Sequence, residues 1–584
     1  MSEILVPAGR LSGGRSGAPI WRRRLLVFAL NGASWLALGA VMTRLLGYAG
    51  WSWPEVAILI LFLAGLPWTL MGFWNAVIGF AILRLARDPA RYTNPALAAT
   101  PMDSRITSRT AICIALRHED VERVFARLEA MAAGLEATPW SGNFCFHVLS
   151  DSSRLEVCTA EEKAFAAIRQ RHSRPGFLVY RRRPANTGFK AGNIREFAER
   201  TRGQYDHMLV LDADSLMSAA AILRLVRVMQ ANPRLGILQT LVIGQPSDSA
   251  FTRIFQFGMR HGMRTHTVGI AWWQGPSGPY WGHNAIIRLD PFVERCRLPM
   301  LAGRPPLGGH VLSHDQVEAA LMVSAGYEVR VIADEFESWE ENPPSLPDFI
   351  KRDLRWCQGN MQYFRLVARP GFTAMGRFQL TSAIMMYLGA PFWVLMLAAG
   401  LAWALLGSSN AGSTVAPAPA ALAPTALGFA LYFGMLGIGF APRLLGVLDV
   451  LLQPPERKRY GGGLRLLAGA LVDMLFWILL GPLMMIAQAL FVAGLIFGRR
   501  VAWEAQNRKG RRLPVGEATR GLLPQMLFGA FFAAGLALLA PGAIPWAVPT
   551  LAACALAVPF ACLTAGDGLG RWMVRHRLCA VPDE

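Results

Sequence analysis

The chain has 584 residues, of which 53% are hydrophobic and only 17% charged, with a mean hydropathy of +0.32. That balance excludes an ordinary soluble protein and predicts several domains with membrane helices among them. A net charge of +19 invites nucleic acid, but Lys and Arg cluster beside apolar runs, as positive-inside topology dictates, so no nucleic-acid partner is expected.

Residues 1–20 are rich in Gly, Ser and Pro and are expected to be a disordered cytosolic N-terminus. Trp21–Arg24 then precedes an apolar run to about Leu46, longer than a signal-peptide core and without a clear cleavage site. It predicts an uncleaved transmembrane helix, and a second run, Val56 to about Leu85, ends in the basic cluster Arg84–Arg91, so residues 21–87 hold two crossings. From 88 to 376 charges rise, and short apolar strands (110–116, 144–150, 176–182, 207–213, 236–242) alternate with amphipathic stretches such as 121–133 and 160–170. That alternation predicts a cytosolic α/β domain on a mostly parallel sheet.

Apolar runs resume over 377–498, with an uncharged linker at 408–424 that suits an outside loop and a basic segment at 454–463 that suits the cytosol. The run 464–498 has basic residues at both ends, and Pro482 sits near its middle. A tight helical hairpin is expected there, with an interfacial helix plus a re-entrant piece as the competing arrangement. A basic cytosolic loop (499–520), two further crossings (521–566) and a cytosolic C-terminus (567–584) complete an expected total of about eight crossings. The eight Cys residues form no CxxC pair or regular framework, which predicts free thiols and no structural zinc.

The stretch His207–Ser215, HMLVLDADS, places two carboxylates, Asp212 and Asp214, at the end of a short apolar strand. Alternation along an extended chain points both to one side, where they can share a hard cation, Mg²⁺ or alternatively Mn²⁺, that keeps positions open for substrate phosphates. By itself Asp-x-Asp also fits turn chemistry and a helix N-cap. Asp151, closing the strand FCFHVLS, can accept hydrogen bonds from a nucleobase or ribose, or cap a turn. Lys190, followed by Gly192-Asn193 in NTGFKAGNI, can approach a diphosphate, or simply be solvated. YWGHNAIIR (280–288) is rich in groups that stack on and hydrogen-bond to sugars. Asp315, in SHD at the start of a helical pattern, suits a general base or an N-cap. In RDLRWCQGN (352–360), Arg355 can neutralise a diphosphate leaving group and Trp356 can stack on a sugar, although a basic-aromatic pair also anchors proteins at membrane edges.

The order Asp151, Asp212-x-Asp214, Asp315, Arg355-Trp356, inside an α/β domain bracketed by membrane helices, resembles the processive family 2 glycosyltransferases. Those enzymes, cellulose and hyaluronan synthases among them, carry the pattern D, DxD, (T/E)D, QxxRW. The resemblance spans roughly residues 85–510, and KAGNI, LDADSLM, YWGHNAIIR, SHDQVEAALM and RDLRWCQGN are similar to the subgroup that builds osmoregulated periplasmic glucans. Arg352 stands in place of the Gln of QxxRW and Ser313-His314 in place of Thr-Glu, departures that fit the subgroup and make cellulose synthesis less expected. The stretch before Trp21 is short beside the N-terminal extension of some members, so no regulation through such an extension is expected.

The resemblance implies a multi-pass α-helical membrane protein with an inserted cytosolic α/β glycosyltransferase-A-type domain, in a bacterial inner membrane. It implies an inverting, processive transfer from UDP-glucose to a growing β-linked, β-1,2 in the subgroup, glucan chain that is exported through the bilayer. Asp151 would hold the uridine with Lys190 near the nucleotide, while Asp212 and Asp214 would lie at the diphosphate with Mg²⁺. Asp315 would take the acceptor proton, and Arg355 and Trp356 would bind diphosphate and acceptor sugar. Trp503, Gln506 and Arg508 of the basic loop are candidates for a gate over the substrate, and a carrier protein or periplasmic glucan-processing protein is a candidate partner. Alternatives are a synthase of another polysaccharide, such as cellulose, and a transporter whose cytosolic domain senses nucleotide.

Overall fold

The computed structural model describes residues 19–172, 174–409, 422–501 and 510–584. Two long helices open it, α1 (Ile20–Leu46) and α2 (Trp53–Leu85), where the two apolar runs predict them. A capping box starts α2, Ser52 and Glu55 each satisfying an otherwise unpaired backbone N–H of the first turn.

The chain then alternates through β1 (Thr110–Leu116), α3 (Val121–Glu136), β2 (Phe144–Ser150), α4 (Leu155–Arg171), β3 (Leu178–Arg182), α5 (Phe189–Arg200) and β4 (His207–Asp212). There follow β5 (Leu216–Met217), α6 (Ala219–Ala231), β6 (Leu235–Gly244), α7 (Ala250–Gln274) and β7 (Ala285–Arg288). The domain closes with α8 (Asp315–Ser324), β8 (Glu328–Glu340) and α9 (Leu346–Met361). The eight strands form one sheet in the order β3-β2-β1-β4-β7-β6-β8-β5. β1 pairs in parallel with β2 and β4, whereas β7 runs antiparallel between β4 and β6. Alternate residues of β1 and β4 feed two cores. Ile112, Ile114, Leu209 and Leu211 pack with Leu128 of α3 and Leu225 of α6, while Ala111, Cys113, Met208 and Val210 pack with Ile194 and Phe197 of α5. A sheet covered on both faces explains why these strands are apolar throughout.

Beyond the domain come α10 (Ala374–Ser409), α11 (Leu422–Leu451), α12 (Gly463–Ile496), α13 (Val515–Leu539), α14 (Ile544–Ala555), α15 (Ala557–Ala565) and α16 (Asp567–Arg575). Among the described residues, six helices are long and apolar enough to cross a membrane, or seven if the bent pair α14–α15 counts as one span. The expected hairpin at 464–498 is absent: α12 is one unbroken helix that carries Pro482 inside it. It touches α7 and α9, Phe476 against Phe251 of α7 with ring centroids 5.2 Å apart and Gln488 Nε2 donating to Asp353 Oδ2 of α9 at 2.8 Å. Just past its end, Val501 N–H donates to Gln358 Oε1 at 2.8 Å. α12 also packs on α10 and α14, and it is one of the helices long and apolar enough to cross a membrane. The last predicted run is also interrupted, α14 and α15 meeting at a 53° bend.

α7 joins the two halves of the molecule. A Cβ on Gly79 of α2 would lie 1.7 Å from the Thr265 carbonyl oxygen, and one on Gly269 would lie 2.0 Å from that of Asn75, so the helices cross with backbones in contact. Trp273 Nε1 donates to Asn75 Oδ1 at 2.8 Å. Arg23 and Arg24 of the N-terminal basic cluster donate to the Trp272 and Gln274 carbonyls at 3.1 and 2.8 Å, satisfying acceptors that the end of α7 leaves open.

Candidate active site

The parallel strands β1, β2 and β4 end at one edge, and Asp151, Asp212 and Asp214 stand there. Asp151 follows β2 directly, its N–H donating to the Leu116 carbonyl at the end of β1 (2.9 Å). Its carboxylate receives two bonds from Arg183, Nε to Oδ1 at 2.7 Å and Nη2 to Oδ2 at 2.8 Å, with both side chains 4–5% exposed. A bidentate guanidinium–carboxylate pair is the strong, directional kind, and burial makes its partners interdependent. The capping alternative does not hold, because α4 begins at Leu155 with Arg154 in the cap position. Arg183 was not anticipated. It closes the run Arg181-Arg182-Arg183, which sequence alone presents as a solvated basic loop, and only its register just past β3 signals otherwise.

Asp212 is the last residue of β4, and its side chain is about a third exposed (36%). Lys190, in the first turn of α5, forms an ion pair with it and donates to the Gly282 carbonyl at 2.8 Å. The Lys is carried there by a tight entry to α5, where Gly188 caps the helix at φ 71° and would place a Cβ 3.1 Å from Gly192 Cα. Asp214 lies beyond the strand, in the turn that leads to β5, and is buried at 5% exposure. Its Oδ2 accepts the Glu341 N–H at 3.3 Å, just after β8. Strand alternation therefore does not describe the pair: one carboxylate ends the strand and the other hangs from the turn after it. Neither caps α6, which Ser218 does through a 3.0 Å bond from Ala221 N–H.

Asp315 is the first residue of α8, one past the cap position that His314 occupies. Gly282, at φ 85°, packs on it so closely that a Cβ would sit 3.3 Å from Asp315 Cβ. The loop Tyr280–Asn284 thus touches Asp315 at the same residue whose carbonyl receives Lys190. His314 Nδ1 lies 2.9 Å from Glu318 Oε2; burial lowers its pKa, but that carboxylate outweighs the effect and leaves the imidazole above its ordinary value. Below it, Tyr363 Oη donates to the Ser313 carbonyl at 2.7 Å, and Gly359 of α9 abuts Ser313 so tightly that a Cβ would lie 2.1 Å from Ser313 Oγ.

α9 carries Arg355 and Trp356. Arg352 donates twice to Asn342 Oδ1, at 3.2 Å each, and lies 4.8 Å from the Trp356 ring centroid, so the residue replacing the Gln of the family pattern positions Trp356. Trp356 keeps half its surface exposed. Arg355, half-buried, is set beside it on the same helix. Glu341 and Asn342 thus tie Asp214 to α9, a link that the sequence does not announce because β8 is not among the predicted strands. Trp503, Gln506 and Arg508 lie outside the described residues.

Among the described residues, no three His, Cys, Asp or Glu side chains converge to hold a metal ion. Asp212 and Asp214 supply hard oxygen donors, which fits Mg²⁺ or Mn²⁺ only if substrate oxygens complete the coordination, the usual habit of Mg²⁺ at phosphate sites.

A profile described as "Glycosyl transferase family group 2" matches residues 207–437, from β4 into α11. The glucans biosynthesis glucosyltransferase H of Vibrio cholerae is 35% identical over 572 residues, covering 97% of this chain and 77% of the relative. The enzyme of the same name from Ralstonia nicotianae is 36% identical over 603 residues, covering 99% and 69%. That from Rhodopseudomonas palustris is 35% identical over 571 residues, covering 96% and 77%. The inserted domain is accordingly of the glycosyltransferase-A type, on a sheet that ends in a single carboxylate-rich edge. The chain belongs to the glucans biosynthesis glucosyltransferase H family and is a membrane glycosyltransferase of glucan biosynthesis.

Proposed function

We propose that the chain is an inverting, processive glucosyltransferase that takes UDP-glucose on the cytosolic side and extends a β-1,2-linked glucan through an inner membrane. The observation that carries this reading is the Lys190–Gly282 contact. It fastens Asp212 to a loop that itself rests on Asp315, so a diphosphate-binding group and a base share one wall.

In this reading Asp151, oriented by Arg183, accepts from the uracil or ribose. Lys190 stands where a diphosphate would displace Asp212 as its counter-charge. Asp315 takes the proton from the acceptor hydroxyl as that oxygen attacks the anomeric carbon, and UDP leaves from the opposite face. One displacement inverts the α-linked donor to a β-linked product. A positioned base of this kind contributes roughly 10²–10⁴ in rate. Trp356 offers its exposed face to the acceptor sugar, and Arg355 neutralises charge on the departing diphosphate. A divalent ion held by Asp212 and Asp214 would stabilise that same charge.

Basic residues at Trp21–Arg24, Arg84–Arg91, 454–463 and 499–512 support a cytosolic catalytic domain and cytosolic termini. A polar chain needs a protein-lined path through hydrocarbon, and fusion of the membrane helices to the catalytic domain suits that task. The test is UDP release by the purified chain in lipid with UDP-glucose, UDP-galactose and UDP-N-acetylglucosamine, with Mg²⁺, Mn²⁺ or a chelator, followed by linkage analysis. Glucose-selective, metal-dependent release giving β-1,2 links is expected. A β-1,3 or β-1,4 product would leave the chemistry and overturn the subgroup assignment.

A further inference from the structure

Glu161 of α4 is buried at 1% exposure, and each hydrogen bond it receives comes from a neutral hydroxyl. Ser150 Oγ donates to Oε2 and Ser152 Oγ to Oε1, each at 2.6 Å, and Tyr180 Oη of β3 donates to Oε2 at 2.8 Å. The two serines flank Asp151 and are themselves buried. One carboxylate therefore grips the residues on either side of Asp151, whose own carboxylate is held by Arg183.

The two serines act as relays. Ser150 Oγ accepts the Ser152 N–H at 3.2 Å, and Ser152 Oγ accepts the His118 N–H at 2.8 Å. Each hydroxyl thus accepts a backbone hydrogen bond and donates its own hydrogen to Glu161. The first relay closes the turn 150–152 on itself. The second fastens that turn to the loop after β1, where His118 takes a left-handed conformation, φ 58°, that a side chain disfavours. Both relays run in this direction only if both oxygens of residue 161 are acceptors. An amide would offer an acceptor to one serine and a donor to the other. Burying a carboxylate among neutral groups is costly, so packing alone does not account for it. What the carboxylate adds is a fixed direction for a connected set of hydrogen bonds.

We propose that Glu161 is a positioning residue for the nucleotide end of the site. It does not touch the donor; it sets the conformation in which the Asp151 turn and the His118 loop receive the nucleoside. The inference rests on the reading of Asp151 as a nucleotide-binding residue.

Calorimetric titration of UDP into the full chain in lipid nanodiscs with Mg²⁺, beside turnover of UDP-glucose, tests it. Glu161→Gln should weaken UDP binding by roughly five- to tenfold, the scale of one hydrogen bond, and raise KM in step. The fall in kcat should stay below about twofold, because Asp315 and Arg355 stand on other elements, α8 and α9. Ser152→Ala removes one relay, leaves the carboxylate in place and should give a similar loss. The double variant should lose no more than the larger single one, as two members of one network do. A smaller folded fraction lowers kcat and leaves KM where it was, so the split between them separates positioning from stability. UDP affinity unchanged in both single variants, losses that add in the double variant or a fall in kcat alone would overturn the proposal. A wild type that fails to bind UDP would overturn the nucleotide reading of Asp151 and this inference with it. Tight binding by the wild type and by both variants would overturn this inference alone.

Discussion

Where α7 meets the membrane helices, backbone packs on backbone and the charges are buried in pairs. Gly79 and Gly269 leave no room for a side chain, and Asp449 of α11, 1% exposed, takes Arg84 of α2 at 2.7 Å and Arg264 of α7 at 3.4 Å. At the carboxylate-rich sheet edge the joints are made by side chains instead. Lys190 bridges Asp212 and the 280–284 loop, and Asp212, Lys190 and Trp356 keep contact with solvent. One surface fixes the domain against its helices, whereas the other leaves its charges exchangeable, as a site must if a diphosphate is to replace an internal counter-ion.

The largest effect should come from filling the backbone contact. Gly269→Val requires α2 and α7 to part by more than an ångström, and overpacking with backbone as the obstacle should cost more than about 4 kcal/mol. The expected result is loss of the monodisperse peak in detergent size-exclusion chromatography. A normal peak would show that the two helices separate freely.

Asp315→Asn comes next and acts at the other surface. The amide keeps the shape and loses the base, so turnover should fall by roughly 10²–10⁴ while UDP-sugar binding stays within about twofold. Parallel loss of binding would make Asp315 a structural residue of the Gly282 contact.

What sequence could reveal followed the same division. β1 and β2 fall on the predicted residues because a strand buried on both faces is a continuous apolar run bounded by polar turns. β7 and β8 were missed: β7 lies inside a motif chosen for its polar groups, and β8 alternates charge with apolar residues across Glu328–Glu340. Asp151, Lys190, Asp212 and Asp315 could be singled out as candidates because carboxylates and lysines at element ends are conspicuous. Arg183 and the Glu341–Asn342 link were not, since their roles depend on which distant elements meet. α12 shows the limit of hydropathy most plainly. Basic residues at both ends and a central proline predict a hairpin, yet the run is one helix with Pro482 inside it, because packing on α10, α14 and α7 supports a continuous helix through the proline.

Arg183→Met sharpens the comparison within the site itself. It strands the Asp151 carboxylate in a buried position, which for a buried pair costs about 3–5 kcal/mol, expected as a lower melting temperature and weakened UDP binding. Adding Asp151→Asn should recover much of the stability and none of the binding. Recovery of both would remove Asp151 from the nucleotide site.

The smallest effect belongs to Asp353, where the rigid and the exchangeable surfaces meet. It sits on α9 between Arg352 and Arg355, receives Gln488 Nε2 of α12 at 2.8 Å and lies 3.4 Å from Tyr387 Oη of α10. Burial pushes its carboxyl up to about 6, despite the opposing pull of the Gln488 bond and the Arg352 charge. A carboxyl that binds its proton more tightly folded than unfolded stabilises the fold below about pH 4. It loses that contribution as pH rises through about 6, an effect on the order of 3 kcal/mol at 1.36 kcal/mol per unit. The melting temperature of the wild type should therefore carry a downward slope between pH 4 and 6 that Asp353→Asn lacks, because the amide stays neutral throughout. Equal slopes in the two proteins would mean that the carboxylate reaches water and that α9 is held to the membrane helices by packing alone. A slope confined to the wild type would make this residue the point where the anchoring of the Arg355–Trp356 helix responds to charge.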